Sequence, residues 1–242
     1  MTNGSVNASA HCGLRLVCAG GFKAAMEKLA PRFEAASGVA CTVTVGTPAD
    51  TRHLMGGGTP FDVAVVTNHT LTDAVEASID PSTRFSVARS PAGIGVRECL
   101  DVQAVDSEAT LRAAIETVGS IALSDPKAGT AMATHILAAA GRIGLREALE
   151  AKVRYVHGPG FVVARRVADG EADAVMTLAT EILSAPGIRF LGTLPASMGL
   201  GTVFDGAIAR AAANPSAARA FLDYLRSREA IGLMQSTGLI DP

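Results

Sequence analysis

Ser120-Ile121-Ala122-Leu123-Ser124-Asp125-Pro126-Lys127-Ala128-Gly129-Thr130-Ala131-Met132-Ala133-Thr134-His135 is the stretch on which the fold is read. Residues 121–123 are a short apolar run of the kind that fills a buried strand. Ser124, Asp125 and Pro126 follow as a turn cluster, and from Ala131 a helical pattern runs to Gly141. The order is strand, turn, helix start. A helix start carries free backbone N–H groups and a partial positive charge, so it favours an anion. Gly129 and Thr130 place no large side chain in the way. Ser124, Gly129, Thr130 and Ala131 are therefore candidate anion-binding residues. Most such units do no more than cap a helix, so the reading requires partner loops, expected near residues 18–23 and 45–50.

Those loops exist upstream. Residues 14–19 read as a strand ending in Gly20-Gly21, followed by a helix with Phe22, Ala25, Met26, Leu29, Ala30 and Phe33 on one face. Residues 39–45 alternate Val and Thr as a second strand. Gly46-Thr47-Pro48-Ala49-Asp50 then turns into another helix, and residues 61–66 make a third strand. Residues 70–78 are expected to be helical and 80–83 a loop. Strands alternating with helices predict a mostly parallel sheet covered on both faces, with ligands held at the carboxyl ends of the strands. Gly20, Gly21, Phe22 and Thr47 are the candidates from these loops.

Residues 85–96 are extended, interrupted by Pro91, and longer than an average strand. They read as a crossover into a second lobe. There helices are expected over 107–118, 130–140, 145–151 and 161–169, and strands over 121–123, 153–157 and 173–177. Gly158-Pro159-Gly160 repeats the small-residue loop before a helix, which adds Gly158 and Gly160. Residues 203–234 are expected to finish as two helices, with Pro215 opening the second. The expected fold class is α/β with two lobes, each a mixed, mostly parallel sheet flanked by helices, and a ligand cleft between them. Residues 1–12 are expected to be a disordered tail, 13–87 plus 192–242 the first lobe, and 88–191 the second.

Composition narrows the function. With 242 residues, 48% of them hydrophobic, the chain can bury a large core. A net charge of −2, no basic run and only 4% aromatic residues argue against nucleic acid. No apolar run approaches the roughly 20 residues of a membrane span. Cys12, Cys18, Cys41 and Cys99 form no C-x-x-C pair, so zinc and redox motifs are not expected, and the scattered histidines suggest no metal site. No nucleotide-binding or hydrolase motif stands in the right context, and no cofactor is expected. Residues 1–12 have neither a basic n-region nor an apolar h-region. Either the protein stays in the cytoplasm or a signal has been removed from the sequence.

The residues 14–21, 45–50, Gly58-Thr59-Pro60-Phe61-Asp62-Val63, Ser124-Asp125-Pro126, Gly170-Glu171-Ala172-Asp173-Ala174 and Ala217-Ala218-Arg219-Ala220-Phe221-Leu222 resemble the molybdate-binding type 2 periplasmic solute-binding proteins. The stretch from Thr180-Glu181-Ile182-Leu183 to Leu194-Pro195 resembles the branch of that family that includes bacterial aconitate isomerase. The resemblance implies the two-lobed binding-protein fold, a small anionic ligand, an ABC transporter permease as partner, a periplasmic location and a monomer.

It also implies, for molybdate, serine hydroxyls from the first two loops and a tyrosine from the second lobe. This chain has Ala19-Gly20-Gly21 in the first loop and only Thr47 in the second, and the tyrosine position falls near Thr177, with no Tyr there. Arg89, beside Ser90 at the crossover, offers instead a planar fork for a carboxylate. The expected ligand is an organic di- or tricarboxylate rather than molybdate. An enzymatic alternative, an isomerase that moves a double bond, needs a proton carrier. His157, at a strand end before Gly158, is the first candidate and Asp125 the second. His135 reads as structural, and His53 and His69 as surface residues.

Overall fold

The computed structural model describes residues 13–71, 73–128 and 131–242. The first lobe opens with β1 (Leu14–Ala19), α1 (Lys23–Ser37), β2 (Cys41–Gly46), α2 (Pro48–Gly56), β3 (Val63–Thr67) and a short α3 (Asp73–Glu76). β1 and β3 are apolar because both their faces are covered. β2, at the sheet edge, keeps its Thr/Val alternation half exposed. The anticipated face of α1 is the buried one, with Ala25, Met26, Leu29, Ala30 and Phe33 inside. Gly38, at φ 72°, ends the helix in the left-handed conformation that glycine adopts without strain.

β4 (Ile79–Arg97) is the strand that joins the lobes. It pairs with β9 (Gly201–Ala209) from Ile79 to Pro91, then with β7 (Ala174–Leu178) and β8 (Ile188–Thr193) from Ala92 onward. Pro91, which has no amide to donate, falls where the strand changes partners. The second lobe adds α4 (Glu108–Thr117), β5 (Ile121–Ser124), α5 (Met132–Arg142), α6 (Arg146–Glu150), β6 (Val153–Val156), α7 (Gly160–Ala168) and α8 (Ala179–Leu183). The order among the described residues is β2-β1-β3-β9-β4-β7-β5-β6, with β8 also on β4. Each outer trio, β2-β1-β3 and β7-β5-β6, is parallel, and the strands between them pair antiparallel. The mixed α/β sheet with flanking helices is thus as expected, with the parallel portion kept to the two ends.

Two expectations fail. Residues 203–209 form most of β9, not a helix. The alanine- and glycine-rich segment has little intrinsic preference. Its backbone groups are claimed by β3 on one side and β4 on the other, partners that local pattern cannot reveal. Residues 80–83 are not a free loop but an irregular start to β4, where Asp80 Oδ1 accepts from the Ser82 amide at 3.0 Å. The chain then closes with α9 (Pro215–Leu225) and α10 (Arg228–Gln235). Asn214 caps α9 by accepting from Ala217 N at 3.1 Å, with Pro215 as its first residue, as anticipated.

α1, α9 and α10 close one apolar core with β1, in which Phe33 meets Phe221 edge-on with centroids 5.1 Å apart. Ile94, Leu111, Ile115, Ile121 and Ile136 build a second core in the other lobe. Cys18 is a buried free thiol, as its apolar surroundings suggest. Gly232 lies inside α10 with nothing near an added Cβ. Gly232→Ala should therefore raise stability by about 0.5–1 kcal/mol, read as a higher denaturation midpoint, by removing unfolded-state freedom.

Candidate functional site

Because each outer trio is parallel, its carboxyl ends lie along one edge, and β4 crosses there. β1, β2 and β3 end at Ala19, Gly46 and Thr67; β5, β6 and β7 end at Ser124, Val156 and Leu178. A cavity of about 400 Å³ opens between these edges. The first lobe lines it with Ala19, Gly20 and Gly21, with Gly46, Thr47 and Pro48, and with Arg52, Thr67, His69, Thr202 and Phe204. The second lobe adds Ala131, Met132 and His135 from the start of α5, Pro159 and Gly160 from the start of α7, and Thr177, Leu178 and Glu181.

The loops anticipated from sequence thus converge. Gly20, Gly21, Thr47, Ala131, Gly160 and Thr177 all line the cavity, while Gly129 and Thr130 lie outside the described residues. Other candidates sit elsewhere. Phe22 is in the core, edge-on to Phe204 at 5.5 Å. Arg89 has its backbone paired with Val203 and Ile240, and its guanidinium lies against Gly201. Ser90 and Ser124 are buried and are not part of the lining. Gly158, at φ 128°, shapes the turn into α7. His157 is exposed, and Asp125 Oδ1 accepts from Lys127 N at 2.8 Å; neither lines the cavity.

Ser90 does take part in joining the lobes. Its hydroxyl lies 3.2 Å from that of Thr180, which donates to Gly21 O at 2.7 Å. A Cβ on Gly21 would come 2.5 Å from Leu178 Cδ1 and 3.0 Å from Phe204 Cζ, so a side chain here would push the lobes' side chains apart.

The helix starts are not equivalent. At α2, Thr47 Oγ1 donates to Asp50 Oδ2 at 2.8 Å and accepts from Asp50 N at 3.2 Å, a closed capping box. The Thr47 hydroxyl is committed to the helix, and its backbone and side-chain bonds hold the Asp50 carboxyl below the usual carboxylate range. At α5 the N-cap is Ala131, which has no side-chain oxygen. At α7 the N-cap is Pro159, and the start of the helix faces a carboxyl from elsewhere in the chain, that of Glu181.

Glu181 is 6% exposed and accepts from Thr177 Oγ1 at 2.6 Å. Burial pushes its carboxyl up, while the Thr177 hydroxyl and the amides of Leu178, Phe161 and Gly160 favour the anion. Gly160 must lack a side chain, since an added Cβ would overlap Glu181 Oε2 and Thr177 Oγ1.

Four chemically informative residues, Arg52, His69, His135 and Glu181, were thus missed or passed over in the sequence. Arg52 follows the Thr47 loop by little more than a turn of α2, and Glu181 stands four residues after Thr177. Those spacings were the available signals.

A family model described as bacterial extracellular solute-binding protein matches residues 14–240. Aconitate isomerase from a Pseudomonas species is 25% identical over 232 residues, 93% of this chain and 87% of that protein. The periplasmic molybdate-binding protein of Azotobacter vinelandii superposes with a TM-score of 0.74 at 20% identity, over 95% of this chain and 99% of that one. The sulfate-binding protein SubI of Mycobacterium tuberculosis gives 0.73 at 17% identity, over 95% and 86%. The fold is that of the type 2 periplasmic binding proteins.

Proposed function

We propose that this chain, which belongs to the bacterial extracellular solute-binding proteins, closes on a small organic di- or tricarboxylate in the cleft between its lobes. The observation that carries this reading is the lining of the cavity. It combines Arg52, His69 and His135 with the start of α5, and it lacks a pair of free hydroxyls at the first two loops. A cavity of about 400 Å³ has room for about a dozen waters at roughly 30 Å³ each, far more than one tetrahedral oxyanion displaces. It falls in the range of sites for small organic ligands. Arg52 supplies the forked, permanently charged donor that suits a carboxylate. On this reading the protein works outside the cytoplasm and delivers its ligand to an ABC transporter permease.

Calorimetric titration with molybdate, sulfate, citrate and the two aconitates tests it. Heat from the carboxylates and none from the oxyanions is expected; tight molybdate binding with no carboxylate response would overturn it. Arg52→Ala should weaken carboxylate binding by about 10- to 100-fold, the loss of one charge-assisted contact worth roughly 1.5–3 kcal/mol. Arg52→Lys should restore only part of it, because an ammonium cannot make the forked contact.

A second reading, that the bound acid is also rearranged, is favoured by the aconitate isomerase relative and by the buried carboxyl that lines the cleft. The absorbance of cis- or trans-aconitate followed over time separates the two. A drift toward a common endpoint means catalysis; a flat trace with heat in the calorimeter means binding alone.

A further inference from the structure

Glu181 is out of place in a cleft built only to hold anions. An ionised carboxyl there repels the ligand, and its position takes up the amide-rich start of α7, which would otherwise suit an anion. Nor is it tied up as a simple structural ion pair. The Thr177 hydroxyl donates to it at 2.6 Å and the amides of Leu178, Phe161 and Gly160 favour its anion, while Glu181 itself stays on the cavity wall beside Arg52, His69 and His135. Its place is nonetheless fixed: Thr177 holds it from one side, and Gly160 leaves room for it on the other.

We propose that Glu181 is the proton carrier of the cleft, moving one proton between two carbons of a bound unsaturated tricarboxylate. The proposal rests on the reading that the cleft holds an organic carboxylate. A Glu181 oxygen takes a proton from the methylene carbon that lies between a carboxylate and the double bond. The C–H pair becomes a new C=C bond, and the old C=C pair moves out to the far alkene carbon, where charge gathers and spreads into the attached carboxylate. Protonated Glu181 then returns the proton to that carbon, so the double bond has moved and the glutamate is as it began. Arg52, His69 and His135, the charged and titratable groups that share the cavity, face the developing negative charge. The opposed pulls of burial and of the neighbouring donors suit a group that must both take and give a proton.

The test uses the full chain in D₂O with trans-aconitate, reading the vinyl and methylene protons by NMR and affinity by calorimetry. Wild type is expected to exchange these protons for deuterium. Glu181→Gln is expected to lose exchange by on the order of 10²- to 10⁴-fold while affinity stays within a few-fold. Thr177→Val removes a donor that favours the anion and leaves Glu181 in place, so its exchange should rise at a higher pH than in wild type; this keeps the test open should Glu181→Gln fail to fold. A Glu181→Gln protein that exchanges at the wild-type rate overturns the assignment. So does a wild type that binds aconitate and neither exchanges its protons nor interconverts the cis and trans forms, which leaves the binding reading standing. A wild type that binds no carboxylate at all removes both.

Discussion

Replacing Gly160 with alanine is expected to lower ligand affinity by at least a hundredfold and to cost about 2–3 kcal/mol of stability. The new methyl would occupy the space of Glu181 Oε2 and Thr177 Oγ1 and would stand 2.6 Å from Glu181 Cδ. The backbones on either side have little freedom to yield. α7 packs Val163, Ala164 and Val167 into the core, and α8 buries Ile182 in the same cluster. The carboxyl must therefore leave the start of α7 and swing into the cavity, where it takes ligand volume and adds negative charge against an anion. Overpacking in a core costs roughly 1–3 kcal/mol, and the lost Thr177 hydrogen bond adds to it. In a chain of this size a loss of about 2–3 kcal/mol lowers Tm by roughly 4–12 °C. Calorimetry and thermal melts read the two effects separately. A Gly160→Ala protein that binds as wild type would mean that Glu181 does not occupy this corner of the cleft.

Asp62→Asn is expected to be the most destabilising single change far from the cleft, about 3–5 kcal/mol at neutral pH. Asp62 is fully buried at the start of β3. Its carboxylate accepts from Arg15 N at 2.8 Å, from the Arg15 guanidinium at 2.8 and 2.9 Å, and from Ala213 N at 2.7 Å. One side chain thus ties the start of β1 to the segment between β9 and α9. Asparagine places an amide N–H₂ where an oxygen accepts and strips the charge from the partner of Arg15. Burial works against the Asp62 anion, but the bonds from Arg15 and Ala213 outweigh it and hold its pKa below the ordinary carboxylate range. A lowered folded-state pKa gives stability that is present above the unfolded value near 4 and is lost as pH falls through the folded value. The gap between wild type and Asp62→Asn should therefore be full at neutral pH and narrow below about pH 4, read from urea midpoints at several pH values. A gap that does not change with pH would deny Asp62 its charge.

How far these outcomes could be foreseen differs between the two sites. The loops around the cleft were legible because their signals are local. Gly20-Gly21, Gly46-Thr47-Pro48 and Pro159-Gly160 each follow an apolar run and precede a helical one. Parallel strands bring such loops to one edge whatever the details of packing. The charged groups facing the cavity were harder to find. Arg89 is the arginine that the crossover points to, yet its backbone is paired on both sides and its side chain lies along Gly201, while Arg52 inside α2 lines the cavity. A strand end singles out His157 over His69 and His135, but strand ends have two sides, and His157 is exposed outside the lining. β9 is not legible as a strand, because Gly206, Ala207 and Ala209 carry no strand preference of their own.

The two-lobed α/β architecture, the family resemblance and the ring of small-residue loops were set by sequence alone, because periodicity, capping and glycine placement act within a few residues of one another. Which side chains share the cleft was decided only in three dimensions. Arg52, His69, His135 and Glu181 come from elements far apart in the chain, and they meet because β4 changes partners between Pro91 and Ala92 and β9 returns beside it. Long-range pairing of that kind leaves no trace in local pattern, since it depends on which edges remain free to be paired.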